Sequence, residues 1–293
     1  MKKLLVLGIA LGALTAPAMA ADMKVKAPIL KAPPPVYSWT GCYLGGNAGW
    51  KWGRFSESVD VPATTGTVPG GTVTALADHI DLDNINADSG VVGGQVGCRW
   101  ENPDHWVGGL EGDFDWTNLH GTVVNNGFGP GTTFVPGDFF GNTARWQSSA
   151  RFVLGHTWDR VFLYATGGIA FTRVTMEANF VPSLGGCVGG GACLFPPSAG
   201  SDSKILVGGT IGAGGAYALD RNWSIGAEYR FTAYQKGDFA LGGVAAECGT
   251  SVVAVTPVVC FNQDATGHKS LQTQEVLFKL NYQFGGGPVA VRY

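Results

Sequence analysis

From Ser38 onward the sequence changes polarity at every second residue through one long stretch after another. That period sends successive side chains to opposite faces of an extended strand, and a helix cannot present it. In Trp223–Lys236, Trp223, Ile225, Ala227, Tyr229 and Phe231 share one face, and Ser224, Gly226, Glu228, Arg230 and Thr232 share the other. Leu271–Phe284 repeats the pattern, with Val276, Phe278, Leu280, Tyr282 and Phe284 against Glu275, Leu277, Lys279, Asn281 and Gln283. Trp106–Asn118 sets Trp106, Leu110, Phe114 and Trp116 against Glu111, Asp113 and Asp115. Thr40–Gly53, Gly90–Trp100, Ala144–Trp158, Val161–Glu177 and Ser203–Leu219 complete a set of eight. Each is long enough for a strand to cross a bilayer, which takes about 9–11 residues. The polar faces are mostly Gly, Ser, Thr, Asn and Gln. That suits a narrow lumen better than the charged, wet face of a soluble sandwich.

The connections alternate as well. Trp100 to Trp106, Trp158 to Val161 and Leu219 to Trp223 are tight turns, whereas connections such as Arg54–Ser89 and Gly237–Ser270 read as long loops. Short turns on one side and long loops on the other mark an outer-membrane barrel. The expected fold is all-β: an eight-stranded antiparallel transmembrane β-barrel with short periplasmic turns and long extracellular loops. Trp39, Trp100, Trp106, Trp158, Trp223 and Phe284 are expected to form a periplasmic aromatic girdle. Trp50, Trp52, Trp116, Trp146 and Tyr234 are expected nearer the loops. Aromatic rings prefer the headgroup level.

The start of the chain predicts export. Lys2 and Lys3 precede the apolar run Leu4–Leu14, and Ala18-Met19-Ala20 has the small-x-small form of a cleavage site. Residues 1–20 are read as a signal peptide, and the run is too short for a membrane helix. Residues 21–38 mix Lys24, Lys26 and Lys31 with Pro28, Pro33, Pro34 and Pro35. Such a leader buries no core, and at about 3.1 Å per residue it reaches about 55 Å when extended. The expected organisation is a signal peptide over 1–20, a periplasmic leader over 21–38, a barrel over 39–284 and a tail over 285–293. The expected location is the outer membrane.

No later stretch approaches 18 consecutive apolar residues, so membrane helices are excluded. A net charge of -3 offers no footprint for nucleic acid. Six cysteines in an exported chain are read first as disulfides. Cys187 and Cys193 lie in one Gly-rich loop and Cys248 and Cys260 in another, which leaves Cys42 with Cys98. No C-x-x-C pair exists and no histidine lies near enough to complete a cluster, so no metal is expected.

Ala21-Asp22 before a Pro-rich leader, then Trp39-Thr40-Gly41-x-Tyr43-x-Gly45-Gly46-Asn47-Ala48-Gly49, resembles the small outer-membrane barrel proteins of alphaproteobacteria. These are relatives of the OmpA- and OmpX-type eight-stranded barrels. Gly93-Gly94-Gln95-x-Gly97, Gly109–Trp116, Tyr164–Ala170 and the closing Leu280–Phe284 are similar to that family's later strand motifs. The resemblance covers the whole chain. It implies a surface-exposed structural protein and antigen. It also raises three family roles: a small porin, a surface binder of haemin or another host factor, and a tether linked to peptidoglycan through a mature N-terminus at Ala21. Outer-membrane lipid, lipopolysaccharide and the barrel-assembly machinery are the implied partners, and no cofactor is implied. Cys42 and Cys98 depart from the family pattern, which has aromatic or aliphatic residues there. They fall on one face near the periplasmic ends of adjacent strands, where a cross-strand disulfide fits.

Six charged residues face inward by parity: Glu111, Asp113, Arg151, Glu228, Arg230 and Lys279. Three acids and three bases at similar depth predict a mutually neutralising network, because lumen charges are costly unless paired. An eight-stranded interior is just filled by side chains, so packing or a plug is expected rather than an open pore. An enzyme acting on lipid A is the competing class. Of His79, His105, His120, His156 and His268, all but one fall in expected loops or turns. None has a defensible nucleophile–base spacing, and His268 with Ser270 comes nearest. Gly209-x-x-Gly212-x-Gly214 lies in a strand and is no nucleotide loop. No catalytic residue is expected.

Overall fold

The computed structural model describes residues 37–68, 71–127, 134–186, 192–195, 197–248 and 258–284. The strands are β1 (Gly41–Val61), β2 (Thr64–Val68), β3 (Gly71–Ala75), β4 (Asp78–Glu101), β5 (Trp106–Val124), β6 (Phe139–Trp158) and β7 (Val161–Phe180). They continue with β8 (Ser183–Gly186), β9 (Ala192–Phe195), β10 (Ser198–Ala218), β11 (Trp223–Tyr234), β12 (Gly237–Cys248) and β13 (Val258–Phe284). Eight of them form a ring in the order β1-β4-β5-β6-β7-β10-β11-β13, and β13 pairs back onto β1. Every pairing is antiparallel. β12 carries the line of β11 upward along the outer half of β13. β2–β3 and β8–β9 are hairpins within the long connections. No helix among the described residues is long and apolar enough to cross a membrane.

The ring is taller than its membrane segments, because the wall inverts its polarity part way up. On β1, Leu44, Trp50 and Trp52 point outward, and beyond Gly53 the outward positions become Arg54, Ser56, Ser58 and Asp60. The inward positions change in the opposite sense, from Asn47 and Lys51 to Phe55, Val59 and Val61. β7 makes the same exchange at Thr172, with Val174, Met176, Ala178 and Phe180 turning inward above it. Lipid rewards apolar residues outside and water rewards them inside, so one strand satisfies both solvents at different heights. Bulges at Phe55/Glu57, Trp116/Leu119 and Ala144/Gln147 sit close to this boundary, as bulges at barrel rims often do.

The segments expected as long loops, 54–89 and 237–270, are therefore largely strand, and β13 alone runs from Val258 to Phe284. His79, His120, His156 and His268 all lie in strands, which leaves only His105 in a turn. The outward apolar belt runs on β5 from Trp106 to Trp116, 51% and 59% exposed. Ten residues at about 3.3 Å, tilted by about 40°, span about 25 Å, the height of a lipid-facing belt. Two girdle assignments need correction. Trp39 is 0% exposed and Tyr234 5% exposed, and both sit inside the barrel. Cys42 faces Cys98 across β1 and β4, and the two are disulfide-bonded. Cys187 lies outside the described residues, as do the side chains of Cys193, Cys248 and Cys260 and all of Ala21 and the 285–293 tail.

Candidate functional site

Side chains pack the lumen at three levels. At the short-turn end, the residues just before β1 fold under the ring. Tyr37 donates to Gln283 Oε1, and Gln283 Nε2 donates to the carbonyls of Ser38 and Thr40. The Trp39 amide donates to Glu101. The Trp39 ring lies 5.1 Å from Phe162, and the Arg99 guanidinium is held over Trp39, Tyr43 and Phe162 at 5.1, 4.2 and 5.4 Å. Val107, Val153, Ala216 and Ala218 complete this aromatic plug.

Mid-barrel, strand register brings the charges together. Glu111 stands opposite Arg151 on β5 and β6, and Arg230 opposite Glu275 on β11 and β13. Arg151 Nη2 donates to Glu111 at 2.5 Å and Asp113 at 2.7 Å, and its Nη1 donates to Glu228 at 2.5 Å. Lys279 Nζ bridges Glu111 at 2.8 Å and Glu228 at 2.5 Å. Arg230 reaches Asp113 and Asp115 at 3.3 Å and Glu228 at 3.2 Å. Tyr43 donates to Glu111 at 2.6 Å and Tyr164 to Glu228 at 3.1 Å. The six charges singled out by parity thus share one buried network. Space for them comes from lumen-facing glycines: a Cβ on Gly93 would stand 2.1 Å from an Asp115 oxygen, and one on Gly45 2.0 Å from Asn281.

The network extends past those six. Lys51 donates to Gln147 and lies 3.7 Å from Glu275, while Gln147 donates to Asp115 and Glu275. Asn47 donates to Asp115 at 2.9 Å and to Gln95, which donates to Asn281. Lys51, Asp115 and Glu275 share the inward parity of their strands, so the signal that found the six also covered them. Counting the whole wall, Lys51, Arg99, Arg151, Arg230, Lys269 and Lys279 are buried with Glu57, Glu111, Asp113, Asp115, Glu228 and Glu275. Asp78 of β4 and Asp138 just before β6 are buried as well, so acids outnumber bases among the described buried charges, and buried charges such as these persist where they are paired or hydrogen-bonded.

Above the belt, the inverted wall encloses an apolar core of Phe55, Val59, Leu119, Phe140, Val174, Met176 and Phe239, capped by Phe134 of the β5–β6 connection. One ion pair is sunk in it. Lys269 Nζ lies 3.4 Å from Glu57 and 5.5 and 5.6 Å from the Phe55 and Phe239 rings, and Glu57 also accepts from Asn142. Burial pushes the Lys269 ammonium down to about 8 against the pull of Glu57.

Among the described residues no hydrogen bond joins a histidine to a serine. Both His268 ring nitrogens are engaged by carboxylates, Nδ1 by Asp238 and Nε2 by Asp60, although Ser270 lines the same shallow pocket. Glu111 and Asp113 both face Arg151. Among the described residues no group of His, Cys, Asp or Glu is arranged to hold a metal.

A family model for the outer membrane protein β-barrel domain matches residues 7–284. The 31 kDa outer-membrane immunogenic protein of Brucella melitensis biotype 1 is 31% identical over 224 residues, which cover 73% of this chain and 80% of that one. The 25 kDa outer-membrane immunogenic protein of Brucella canis is 27% identical, covering 83% of this chain and 89% of that one. Among solved structures, the outer membrane protein OprG of Pseudomonas aeruginosa covers 84% of this chain and 96% of its own, at 10% identity and a TM-score of 0.40.

Proposed function

The chain belongs to the outer membrane protein β-barrel domain family, and from that premise we propose that it is a sealed structural barrel of the outer membrane. It stabilises the envelope and displays a rigid wall above the membrane. The observation that carries this reading is the triple closure of the lumen: the Arg99 cage under Trp39, the ion network around Arg151, and the apolar core around Phe55. A water path would have to pass all three, and opening the middle one exposes charges whose partners are already fixed. The test is solute entry into proteoliposomes. Vesicles carrying the intact protein are expected to swell in small sugars no faster than empty vesicles. Swelling that scales with protein content contradicts the reading and favours the porin role.

A second role rests on the placement of Tyr37–Thr40. These residues are bonded beneath the barrel at the short-turn, periplasmic end. With cleavage after Ala20, the mature chain presents an amine at Ala21 for linkage to the cell wall, and the Pro-rich residues that follow it serve as the tether. A load on it is borne by Trp39 in its cage. Muramidase digestion of purified sacculi is expected to release barrel carrying a muropeptide on Ala21. Complete extraction by hot detergent with unmodified Ala21 rules out the covalent link.

A further inference from the structure

Above the belt, the outer face of the wall carries a chain of alternating acids and imidazoles that no part of the sealed lumen requires. Asp238 on β12 stands opposite His268 on β13, and Asp60 on β1 stands opposite His79 on β4. His268 Nδ1 lies 2.7 Å from Asp238, and its Nε2 lies 3.0 Å from Asp60 across the seam where β13 closes onto β1. The other Asp60 oxygen meets His79 Nδ1, and His79 Nε2 lies 3.2 Å from Asp81. The chain Asp238–His268–Asp60–His79–Asp81 therefore crosses three strand seams.

All four imidazole nitrogens in this chain face a carboxylate oxygen. A neutral imidazole has one N–H, so it can donate to only one of its two carboxylates and turns a lone pair toward the other. An imidazolium donates to both. The folded geometry is thus fully satisfied only when both rings are protonated, with two positive charges among three negative ones. The other groups facing the chain are Lys236, which lines the pocket beside His268, and Ser58, which is registered opposite both His268 and Asp81. Asp264 is exposed further along β13. Lys269, Glu57 and Asp78 are buried.

We propose that this chain is a pH-operated clasp on the closing seam of the extracellular wall, locked when His79 and His268 are protonated and loosened when they are neutral. The lock stiffens β12 and the upper ends of β13, β1 and β4 in mildly acidic surroundings. At neutral pH and above it frees them, while the ring inside the membrane is unaffected. The hydrogen bond that the His79 ring donates to the Asp60 carboxylate raises the His79 pKa, which agrees with this sense. For a base whose folded pKa is raised, the stabilisation is complete below the unfolded value of about 6.5 and is lost as pH rises through the folded one.

Hydrogen exchange of the full-length protein in lipid nanodiscs tests the clasp, with rates normalised to the intrinsic rate at each pH. Amides over 58–61, 79–81 and 266–268 are expected to be about fivefold more protected at pH 5.5 than at pH 7.5, the scale of two exposed charged contacts. Amides of the membrane ring, such as 108–115, are expected to show no difference. Asp60→Asn should remove the difference while leaving gel migration of the unboiled barrel unchanged. Should that variant fail to fold, the wild-type imidazole proton resonances decide the matter: a His79 ring titrating above about 6.5 supports the clasp. Equal protection of the wild type at both pH values, a pH difference that survives in Asp60→Asn, or rings neutral at pH 5.5 overturns it.

Discussion

Residue by residue, the lumen is governed by what a charge needs when water is withheld. Arg151 is 1% exposed and shared by Glu111, Asp113 and Glu228. Removing one partner therefore leaves more than a lost bond. Glu111→Gln deletes a charge that both Arg151 and Lys279 use, and it is expected to destabilise the barrel by about 3–5 kcal/mol, as breaking a buried pair does. Urea unfolding in micelles measures this, and a midpoint equal to wild type contradicts it. Lys269 acts in the opposite sense. Its folded pKa of about 8 lies below the ~10.4 of an exposed lysine, so its charge opposes folding. The cost is present in full below about pH 8. It is relieved between about pH 8 and 10.4, where the unfolded chain binds more protons than the folded one. Stability is expected to rise across that window by up to about 3 kcal/mol and to flatten in Lys269→Met. A fall instead would contradict the buried-ammonium account. At this scale the sequence was legible through parity. Parity placed the six network charges inward, and it held equally for Lys51, Asp115 and Glu275. For Trp39 and Tyr234 parity overrides position at a strand end: Trp39 keeps step with inward Tyr43, and Tyr234 with inward Thr232.

Among elements, the membrane-crossing part of each strand was readable and its continuation was not. The reason is physical. Trp50 and Trp52 mark the outward face of β1, and from three residues later the apolar residues lie on the other face as Phe55, Val59 and Val61. A search for one apolar face ends at the switch, although the alternation continues unbroken through Arg54–Asp60. The same inversion turned His79 and His268 from expected loop residues into neighbours on a wall, where their shared contact with Asp60 depends on long-range register. The Cys42–Cys98 bond also belongs to this scale, because it joins β1 and β4 near the turn side. Closing a loop of 56 residues is worth up to about 4 kcal/mol in chain entropy. Reduction, or the Cys42→Ser/Cys98→Ser double variant, is expected to lower the temperature at which the unboiled gel form converts to the boiled one. An unchanged conversion temperature contradicts a stabilising role for the bond.

For the whole molecule, three different chemistries fill one tube: an aromatic cage around a cation, a network of ion pairs, and a soluble-type apolar core. Each occupies the height where the surroundings favour it. The cage sits where the chain enters from below, the ion pairs lie within the belt, and the apolar core lies where the outer face meets water. Closure by any one of them would be vulnerable to a single substitution, whereas the three together make Trp39→Ala or Glu111→Gln a cost in stability rather than an opening. Single-channel recording of the purified, refolded monomer in a planar bilayer tests this most directly, on wild type, Trp39→Ala and Glu111→Gln alike. The account predicts a baseline without discrete conductance steps for all three proteins. Stable, reproducible steps from the wild type, removed by boiling the sample, would contradict it.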